Sequence, residues 1–409
     1  MTASDVALRA DFEALAGLGR DPAGGWSRPG WSLQEQAAHD WFADRARAAG
    51  LSVRQDAFGN TIARREGSED LPAIAMGSHL DTVRNGGLYD GALGVLVALE
   101  AARRIAPGPR PLEVIAFRDE EGRFGPFTGS RAMTGELDEA GLERLRDGEG
   151  ILLADAMAAV GYRPDGPRAA ARDLSGIAAW LEVHIEQGPV LEAAGLPLGV
   201  VTAIAGQRRL SLRFTGVAGH AGTVPMDTRR DAFQAAARFA VAFDEMIHSE
   251  GEGARGTIGI VRITPNQGNV VPGEARLSLE IRDADNGRLD RLAGRVAALA
   301  DDAAVATGTS VSIKEAYASA PVAMSATLIA AFEAAAVDCG HASRRLLSGA
   351  NHDAGVLGRR LPAGMLFVPS RGGVSHAPDE HTDWPPIAAA AEVLSHAAAN
   401  LLQSRAIRD

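Results

Sequence analysis

The first residues that could do chemistry are one histidine and two aspartates in the glycine-rich stretch GSHLDTVRNGGLYDGALG, residues 77–94. His79 and Asp81 follow the apolar run LPAIAM, and Asp90 comes later, where several glycines allow the backbone to turn tightly. Ligands of an open α/β sheet bind outside the carboxyl ends of its strands. The position therefore favours a functional site, although an H-x-D pair taken alone is as typical of a turn with a hydrogen-bonded histidine.

A second acidic motif, FRDEEGRFG, follows the apolar run LEVIAF. In extended backbone the adjacent side chains of Glu120 and Glu121 point to opposite sides. One of them could therefore bind a metal while the other serves as a general base. Taken alone, Asp-Glu-Glu is more typical of a solvated turn.

Two further histidines lie in comparable positions. His184 is part of EVHIEQGP, within a strand-like run, and His376 is part of SRGGVSHAPDEHT, after LFVP. Each alone is more typical of a packed or surface residue. Three histidines and two carboxylates at or after strand ends nevertheless form a donor set that suits zinc, with manganese or cobalt as alternatives. The single cysteine, Cys339, excludes a cysteine-based zinc site and an internal disulfide.

The elements that must position these residues alternate between strand and helix in the first half of the chain. Apolar runs at 71–76, 112–117 and 180–185 predict buried strands, and the periodicity of 94–105 predicts a helix. Strand, helix and strand at this spacing predict a βαβ unit and a mostly parallel sheet.

The pattern changes near residue 206. Runs at 209–214 and 274–281 alternate polar and apolar residues, which is typical of half-exposed antiparallel strands, and helical runs follow at 230–247 and 288–306. After residue 323 the first pattern returns, with helices predicted at 326–337 and 387–402 and a strand at 364–368. The sequence therefore predicts a discontinuous α/β domain, residues 1–206 and 323–409, interrupted by an α+β domain, residues 207–322.

Composition excludes several functional classes. A chain of 409 residues is longer than a single hydrophobic core usually supports, so two domains are expected. Its net charge of -11 argues against nucleic acid as a partner. The N-terminal segment lacks the basic and apolar regions of a signal peptide, and no apolar stretch approaches a membrane span, so we expect a cytoplasmic protein without a membrane partner. The only lysine is Lys314, and no Schiff-base or Walker motif surrounds it, which argues against a Schiff-base enzyme and a Walker-type phosphate loop.

Eight motifs in order resemble the aminoacylase/carboxypeptidase superfamily of two-metal amidohydrolases. Within it they are most similar to the branch of N-carbamoyl-L-amino acid amidohydrolases, allantoate amidohydrolases and β-ureidopropionases. The motifs are GSHLDT, YDGALGV, DEEGRFG, EVHIEQGP, GVAGHAGTVPMDTRRDA, GNVVPGEARLSLEIRD, SGANHDA and GGVSHAPDEHT. The resemblance implies a zinc-exopeptidase-like catalytic domain, with a mixed, mostly parallel sheet and helices on both faces, and an inserted dimerisation or lid domain.

The resemblance also implies two divalent metal ions per subunit, zinc being expected and manganese or cobalt being alternatives. Asp90 would bridge the two ions. His79 and His184 would complete one site, and Glu121 and His376 would complete the other. Such a pair of ions activates water and polarises a carbonyl group.

The remaining site residues are likewise implied by the resemblance. Asp81 would fix the tautomer of His79, and Glu120 would take a proton from the attacking water and pass it to the leaving nitrogen. His220, supplied by a partner subunit of a homodimer, would donate to the developing oxyanion. The substrate-binding residues would be Gln187, Asn269, Arg282, His352 and Gly373. Without the resemblance, Arg282 could equally form a strand-end salt bridge with Asp283 or Asp285.

The implied reaction is hydrolysis of a linear C–N bond in a small ureido or amide substrate that carries a carboxylate. N-carbamoyl-L-amino acids come first, allantoate second and a β-ureido acid third. Alternative hypotheses are an N-acyl-amino acid deacylase or aminopeptidase on the same scaffold, and a non-catalytic relative. The EQGP and GGVSH segments favour the ureido branch, and the presence of all five ligands and Glu120 argues against a non-catalytic relative.

Overall fold

The computed structural model describes residues 3–137, 139–162, 171–251, 253–405 and 407. The strands are β1 Ser52–Gln55, β2 Thr61–Arg65, β3 Ala73–His79, β4 Leu112–Phe117, β5 Ile177–Ile185, β6 Leu198–Ile204, β7 Gly206–Thr215, β8 Gly219–His220, β9 Arg255–Thr264, β10 Val270–Val271, β11 Glu274–Asp283, β12 Ser310–Ser319, β13 Val322–Ala323, β14 Ser343–Ser348 and β15 Ala363–Val368. The helices are α1 Ala3–Ala16, α2 Leu33–Ala48, α3 Ala92–Arg104, α4 Thr128–Met133, α5 Glu139–Leu142, α6 Leu153–Ala159, α7 Val190–Ala194, α8 Ala232–Ser249, α9 Asn286–Ala306, α10 Ala326–Asp338, α11 Asp353–Leu357 and α12 Trp384–Gln403. Within the described chain, no helix is both long and apolar enough to cross a membrane.

The chain divides into two units, one made of residues 1–202 and 324–409 and the other of residues 203–323. The sequence patterns predict the domain boundaries at 206/207 and 322/323. The second unit begins a few residues earlier than the change of pattern because Ala203 and Ile204 pair with Ala323 and Val322, so that the entering and leaving segments lie side by side.

A nine-stranded sheet has the order β1-β2-β4-β3-β5-β15-β6-β13, with β14 also paired to β6. The centre is parallel, since β3 pairs in parallel with β4 and β5, and β5 with β15. The described flanking pairs are antiparallel. The predicted mixed α/β fold is therefore confirmed. The structure adds the antiparallel flanks, which the sequence patterns do not indicate because β1, β2 and β13 are short.

The central strands carry the core of the first unit. Every residue of β3, β4 and β15 is buried, and so is α3 from Ala92 to Ala102. Helix α3 packs on β3, β4 and β5, and α12 packs on α3 and β15. Strand β3 runs further than the predicted 71–76, because Gly77, Ser78 and His79 continue the parallel pairing with β4. His79 is therefore the last residue of the strand rather than the first of a loop.

The second unit contains a four-stranded antiparallel sheet of order β12-β7-β11-β9, on which α8 and α9 pack. Alternate residues of β7 and β11, such as Leu212, Phe214 and Leu277, are buried in one core with the apolar faces of α8 and α9. Beyond the ends of β7 and β11, the two-residue strands β8 and β10 form a small ribbon.

Candidate metal centre

Five predicted ligands lie together in two groups that share Asp90. The first group is His79, Asp90 and His184, the second is Asp90, Glu121 and His376, and in each group one ligand atom per residue lies within 4.8 Å of the others. Nε2 of His184 is 3.1 Å from Oδ1 of Asp90, whereas Nε2 of His376 is 3.2 Å from Oδ2. The two oxygens of one carboxylate thus face different histidines, which is the arrangement that a bridging carboxylate requires.

Asp81 connects the first histidine to the acidic loop. Its Oδ1 lies 3.2 Å from Nδ1 of His79, and its two oxygens accept the backbone N–H groups of Glu120 at 3.1 Å and Glu121 at 3.0 Å. The histidine ring is thereby oriented with Nε2 towards Asp90 Oδ1 at 3.8 Å. Asp81 is buried and lies behind the ring, so its position is the one that an orienting partner of a metal ligand needs.

The turn at Asp119 separates the two glutamate side chains. Asp119 has a positive φ of 51°, and its carboxylate accepts backbone N–H groups four and five residues further along, at 2.8 and 3.2 Å. Oε2 of Glu120 lies 3.5 Å from Nε2 of His79, and Oε2 of Glu121 lies 3.3 Å from Nε2 of His376. The two adjacent carboxylates therefore face different histidines.

Two features hold Asp90 in position. Glu380 Oε1 accepts the backbone N–H groups of Tyr89 at 2.9 Å and Asp90 at 3.0 Å. Gly91 follows with a φ of 63°, and a Cβ atom there would lie 2.3 Å from the ring of His79. Only glycine combines this left-handed backbone with so close an approach to the ring.

Gln187 and the loop before His376 flank the shared carboxylate. Nε2 of Gln187 donates to Oδ2 of Asp90 at 2.9 Å, and the Ser375 hydroxyl donates to the same oxygen at 2.8 Å. Oε1 of Gln187 is buried and has no hydrogen-bond partner among the described residues. Gly373 has a φ of 68°, and a Cβ atom there would meet the Pro189 nitrogen at 3.0 Å.

His352 lies behind the first group, with its ring centroid 4.4 Å from that of His184. Glu182, His184 and His352 form a third cluster of potential ligands. The carboxylate of Glu182, however, already accepts hydrogen bonds from the Ser78 hydroxyl at 2.8 Å and the Ala354 N–H at 2.8 Å. His352 therefore packs against the ring of His184, whereas Nδ1 of His184 forms its hydrogen bond with the Ile185 carbonyl, at 2.9 Å.

The sequence-based prediction missed Ser375 and Glu380, which form hydrogen bonds with Asp90, and Glu182, which is buried beside the first ligand group. A signal for Glu182 existed, because it precedes His184 by two residues on a strand and so faces the same side of the sheet. No comparable signal marks Glu380, since the backbone N–H groups of Tyr89 and Asp90 that donate to it lie 290 residues or more away in sequence.

The charges at the site are crowded. Burial, followed by the neighbouring Asp90 carboxylate, raises the pKa of Glu121 to about 8. Burial likewise raises the pKa of Glu120 well above its usual range. The hydrogen bond with Asp90 raises the pKa of His376 to about 9. Burial opposes ionisation of Asp90, but the hydrogen bonds from His184 and His376 hold the pKa of that carboxyl well below its usual range.

The residues fit a pair of divalent ions. Nε2 of His79 and Oε1 of Glu121 are both buried and have no hydrogen-bond partner in the described chain. Leaving such atoms unpaired is costly, and imidazole nitrogens with carboxylate oxygens are the donors that zinc and manganese accept. The side chain of His376 is half exposed, so the second group is open on one side.

His220, predicted as a catalytic oxyanion donor, and Asn269, predicted as a substrate-binding residue, lie close together at the β8–β10 ribbon of the second unit. His220 is paired with Val270, and the Ala221 N–H donates to the Asn269 carbonyl at 2.9 Å. Both His220 and Asn269 are exposed.

Arg282 lies near the other end of β11, where it is paired with Gln207. At ~3.4 Å per residue, the eight steps along the strand from Glu274 to Arg282 span about 27 Å. Within one copy of this unit, Arg282 and the ribbon are therefore far apart. The salt-bridge partner of Arg282 is Glu280, at 2.5 Å, whereas the sequence suggested Asp283 or Asp285.

The chain is similar over most of its length to proteins of known family and structure. Residues 75–400 match the family described as Peptidase family M20/M25/M40. The N-carbamoyl-L-amino acid amidohydrolase of Geobacillus stearothermophilus is 40% identical over 397 residues, covering 95% of this chain and 96% of that protein. The allantoate amidohydrolase of Bacillus subtilis is 38% identical over 381 residues, covering 91% of each. The crystal structure of a hydantoinase/carbamoylase family amidase from Burkholderia multivorans has a TM-score of 0.91 at 32% identity, covering 97% of both chains.

Proposed function

Because this chain belongs to peptidase family M20/M25/M40, we propose that it is a metal-dependent amidohydrolase that cleaves the linear C–N bond of an N-carbamoyl-L-amino acid. The observation that carries the proposal is the pair of ligand groups sharing Asp90, with the buried carboxyl of Glu120 directly beside them. The names of relatives that match nearly the full length of the chain support the ureido substrate class. Allantoate is the second candidate substrate, because an allantoate amidohydrolase is similar to this chain over 91% of its length.

The proposed ion-binding residues are His79, Asp90 and His184 for one ion and Asp90, Glu121 and His376 for the other. Zinc is the first expectation, and manganese or cobalt are the alternatives. Divalent ions bound there would supply the Lewis acidity that activates water and polarises the scissile carbonyl.

In the proposed mechanism, Glu120 moves the proton. It takes a proton from the attacking water and returns it to the leaving nitrogen, and burial gives its carboxyl the raised pKa that suits both steps. The oxygen of the attacking water forms the new C–O bond to the ureido carbonyl carbon, and the tetrahedral intermediate collapses with loss of one of its two C–N bonds. The carbamic acid that results breaks its remaining C–N bond, so that the products are the free amino acid, carbon dioxide and ammonia. Asp81 orients Glu120 through the backbone N–H group that it accepts.

The proposed substrate contacts are Gln187, His352, Arg282, Gly373, His220 and Asn269. The unpaired Oε1 of Gln187 can accept a ureido N–H group, and His352 stays neutral because burial holds its pKa well below its usual range. Arg282 suits the substrate carboxylate through bidentate pairing. Gly373 would let the backbone of its loop approach the substrate. His220 and Asn269 would contact the reacting carbonyl and the carboxylate.

A homodimer is part of the proposal. A distance of about 27 Å along β11 separates Arg282 from the ribbon that bears His220, which is several times the length of an N-carbamoyl amino acid. Both side chains can contact one substrate only if they come from different copies of the chain. Strand β9 forms an edge of the four-stranded sheet, with Ile260 and Val261 about half exposed, and it offers a surface for such pairing.

The function is tested by measuring the release of ammonia and free amine from a substrate panel. Metal-depleted protein is reloaded with zinc, manganese or cobalt and given N-carbamoyl-L- and D-amino acids, N-carbamoyl-β-alanine, allantoate, N-acetyl amino acids and dipeptides. We expect turnover of L-carbamoyl compounds only with metal. Turnover confined to allantoate would select the second candidate. Free amine from acetyl compounds or dipeptides alone would refute the ureido assignment.

The roles of Glu120 and His220 are tested by mixing two inactive variants. Glu120→Gln should bind metal normally but lose about 100- to 10,000-fold in kcat. His220→Ala should also lose kcat. If His220 acts across a dimer, mixed subunits combine one intact Glu120 with one intact His220 and regain part of the activity. No recovery after verified subunit exchange would refute action in trans.

A further inference from the structure

The open face of the four-stranded sheet in the second unit carries a row of arginines. Cross-strand register places Arg213, Arg276 and Arg262 side by side on β7, β11 and β9. The face covered by α8 and α9 contains the alternate residues, including Leu212 and Leu277, so the row lies on the opposite face. The side chains of Arg213 and Arg276 are 53% and 56% exposed. Like charges directly opposite each other destabilise a sheet, so sheet stability does not explain the row.

More basic side chains share this face. The two-residue alternation of the same sheet places them at further open positions of all four strands: Arg209, Arg282, Arg255 and Lys314. Tyr317, which is 46% exposed, pairs with Arg209 on the same side. Glu315 pairs with Leu210 and therefore falls on the helix-covered side.

The acidic strand residues of this face do not neutralise it. Each is already shared between two arginines: Glu274 contacts Arg213 and Arg276, and Glu280 contacts Arg209 and Arg282. Among the described residues, no carboxylate lies within 4 Å of the head group of Arg262, Arg255 or Lys314. A strongly positive surface thus occurs in a chain whose net charge is -11.

The ends of this face carry proposed substrate contacts. Arg282 lies at one end, and β7 and β11 lead at the other end into the ribbon with His220 and Asn269. At ~3.4 Å per residue, Arg276 is about 20 Å from Arg282 along β11. It therefore lies too far away to bind the same carboxylate directly.

We propose that the open face of this sheet, the basic face, gathers the anionic substrate and steers its carboxylate towards the substrate-contacting residues at the ends of the sheet. This inference rests on the proposed function and adds to it the means by which a net acidic protein captures an acidic substrate. A surface of one sign raises the local concentration of oppositely charged ligands and their association rate, and salt weakens the effect.

The test compares two triple variants that remove the same charge. Arg213→Gln/Arg276→Gln/Arg262→Gln neutralises the row, and Arg238→Gln/Arg291→Gln/Arg295→Gln neutralises three exposed arginines on α8 and α9, on the other side of the sheet. Both are assayed as metal-loaded full-length protein with an N-carbamoyl-L-amino acid and with its uncharged carboxamide, at ionic strengths from ~0.01 to ~0.5 M.

For the row variant we expect kcat/KM at low salt to fall about three- to tenfold, with kcat unchanged and the difference from wild type lost at high salt. The helix variant and the carboxamide substrate should show little change. If the row variant is unstable, Arg262→Gln alone should give a smaller change in the same direction. Equal salt dependence in wild type and row variant, or an equal loss for the carboxamide, would overturn the steering role. Absence of any turnover by the wild-type protein would instead refute the proposed function.

Discussion

The substitution Asp81→Asn would keep the shape of the side chain but turn one acceptor oxygen into an NH2 donor. The backbone N–H groups of Glu120, at 3.1 Å, and Glu121, at 3.0 Å, donate to this carboxylate. Nδ1 of His79 lies 3.2 Å from Oδ1 and also 3.2 Å from the Asp81 carbonyl oxygen, so the two oxygens share this third donor. In either orientation, the new NH2 group faces at least one N–H group. The substitution therefore disturbs a metal ligand and the general-base loop together.

The magnitude follows from these contacts. A hydrogen bond to a charged group contributes about 1.5–3 kcal/mol, and at least one is lost while the others lose their charge. A loss of about 3 kcal/mol, at 1.4 kcal/mol per factor of ten, corresponds to roughly 100-fold. We expect metal affinity to fall about 10- to 100-fold, as is typical when the partner of a metal-binding histidine is removed. Turnover at saturating metal should also fall, because Glu120 is no longer held in place.

Metal affinity is measured by competition with a chromophoric chelator, and kcat is measured at saturating metal. Asp56→Asn is the matched control, because this partly buried carboxylate also accepts backbone N–H groups, from Phe58 at 3.0 Å and Asn60 at 2.9 Å, but lies outside the ligand groups. It should lower the free energy of unfolding without changing metal affinity. If Asp81→Asn behaves in the same way, with metal affinity within about twofold of wild type, the orienting role of Asp81 is refuted.

Three further outcomes are expected. Gly91→Ala should weaken metal binding more than about tenfold, because its Cβ would lie 2.3 Å from the ring of His79; Gly195→Ala, at a similar φ of 62° but with nothing within 4 Å, should show only the backbone strain of about 1–2 kcal/mol. Chelator competition and thermal unfolding separate the two effects, and equal metal affinities would contradict the steric argument. The metal-free protein should lose stability in denaturant titrations as the pH rises from about 4.5 to about 9. The folded-state pKa of Glu121 is about 8 against a usual 4.5, and that of His376 is about 9 against a usual 6.5, so deprotonation within this range favours the unfolded chain. A flat or rising profile would contradict those values. Reloading with metal at 100 times its dissociation constant should restore about 2.7 kcal/mol, and no shift of the unfolding midpoint would mean that no ion binds the folded state preferentially.

The sequence was most informative where a local pattern determines the position of a residue. The run Leu112–Phe117 predicted β4 with its observed bounds, and the acidic pair directly after it lies at the sheet edge where the other ligands meet. Apolar runs predict strands, and the carboxyl ends of neighbouring parallel strands meet at one edge. For this reason the candidate ligands could be grouped without knowing the order of the strands.

Contacts that depend on distant parts of the chain could not be predicted in this way. Glu380 holds the backbone at Asp90 across 290 residues of sequence, and no local periodicity encodes that contact. The salt bridge of Arg282 shows a different limitation. Sequence neighbours suggested Asp283, but alternate residues of a strand share a face, so Arg282 meets Glu280, whereas Asp283 pairs with Arg288.

The split of the first unit has a consequence for protein synthesis. Four of the five candidate ligands have been synthesised once the chain reaches residue 184. His376 and the supporting Glu380 follow only after the whole second unit, residues 203–323, has been made. Domains generally fold as units in the order of their synthesis. The nascent chain therefore carries the complete first ligand group but an incomplete second group while the inserted unit folds. The second group gains His376 only after the last segment has been made.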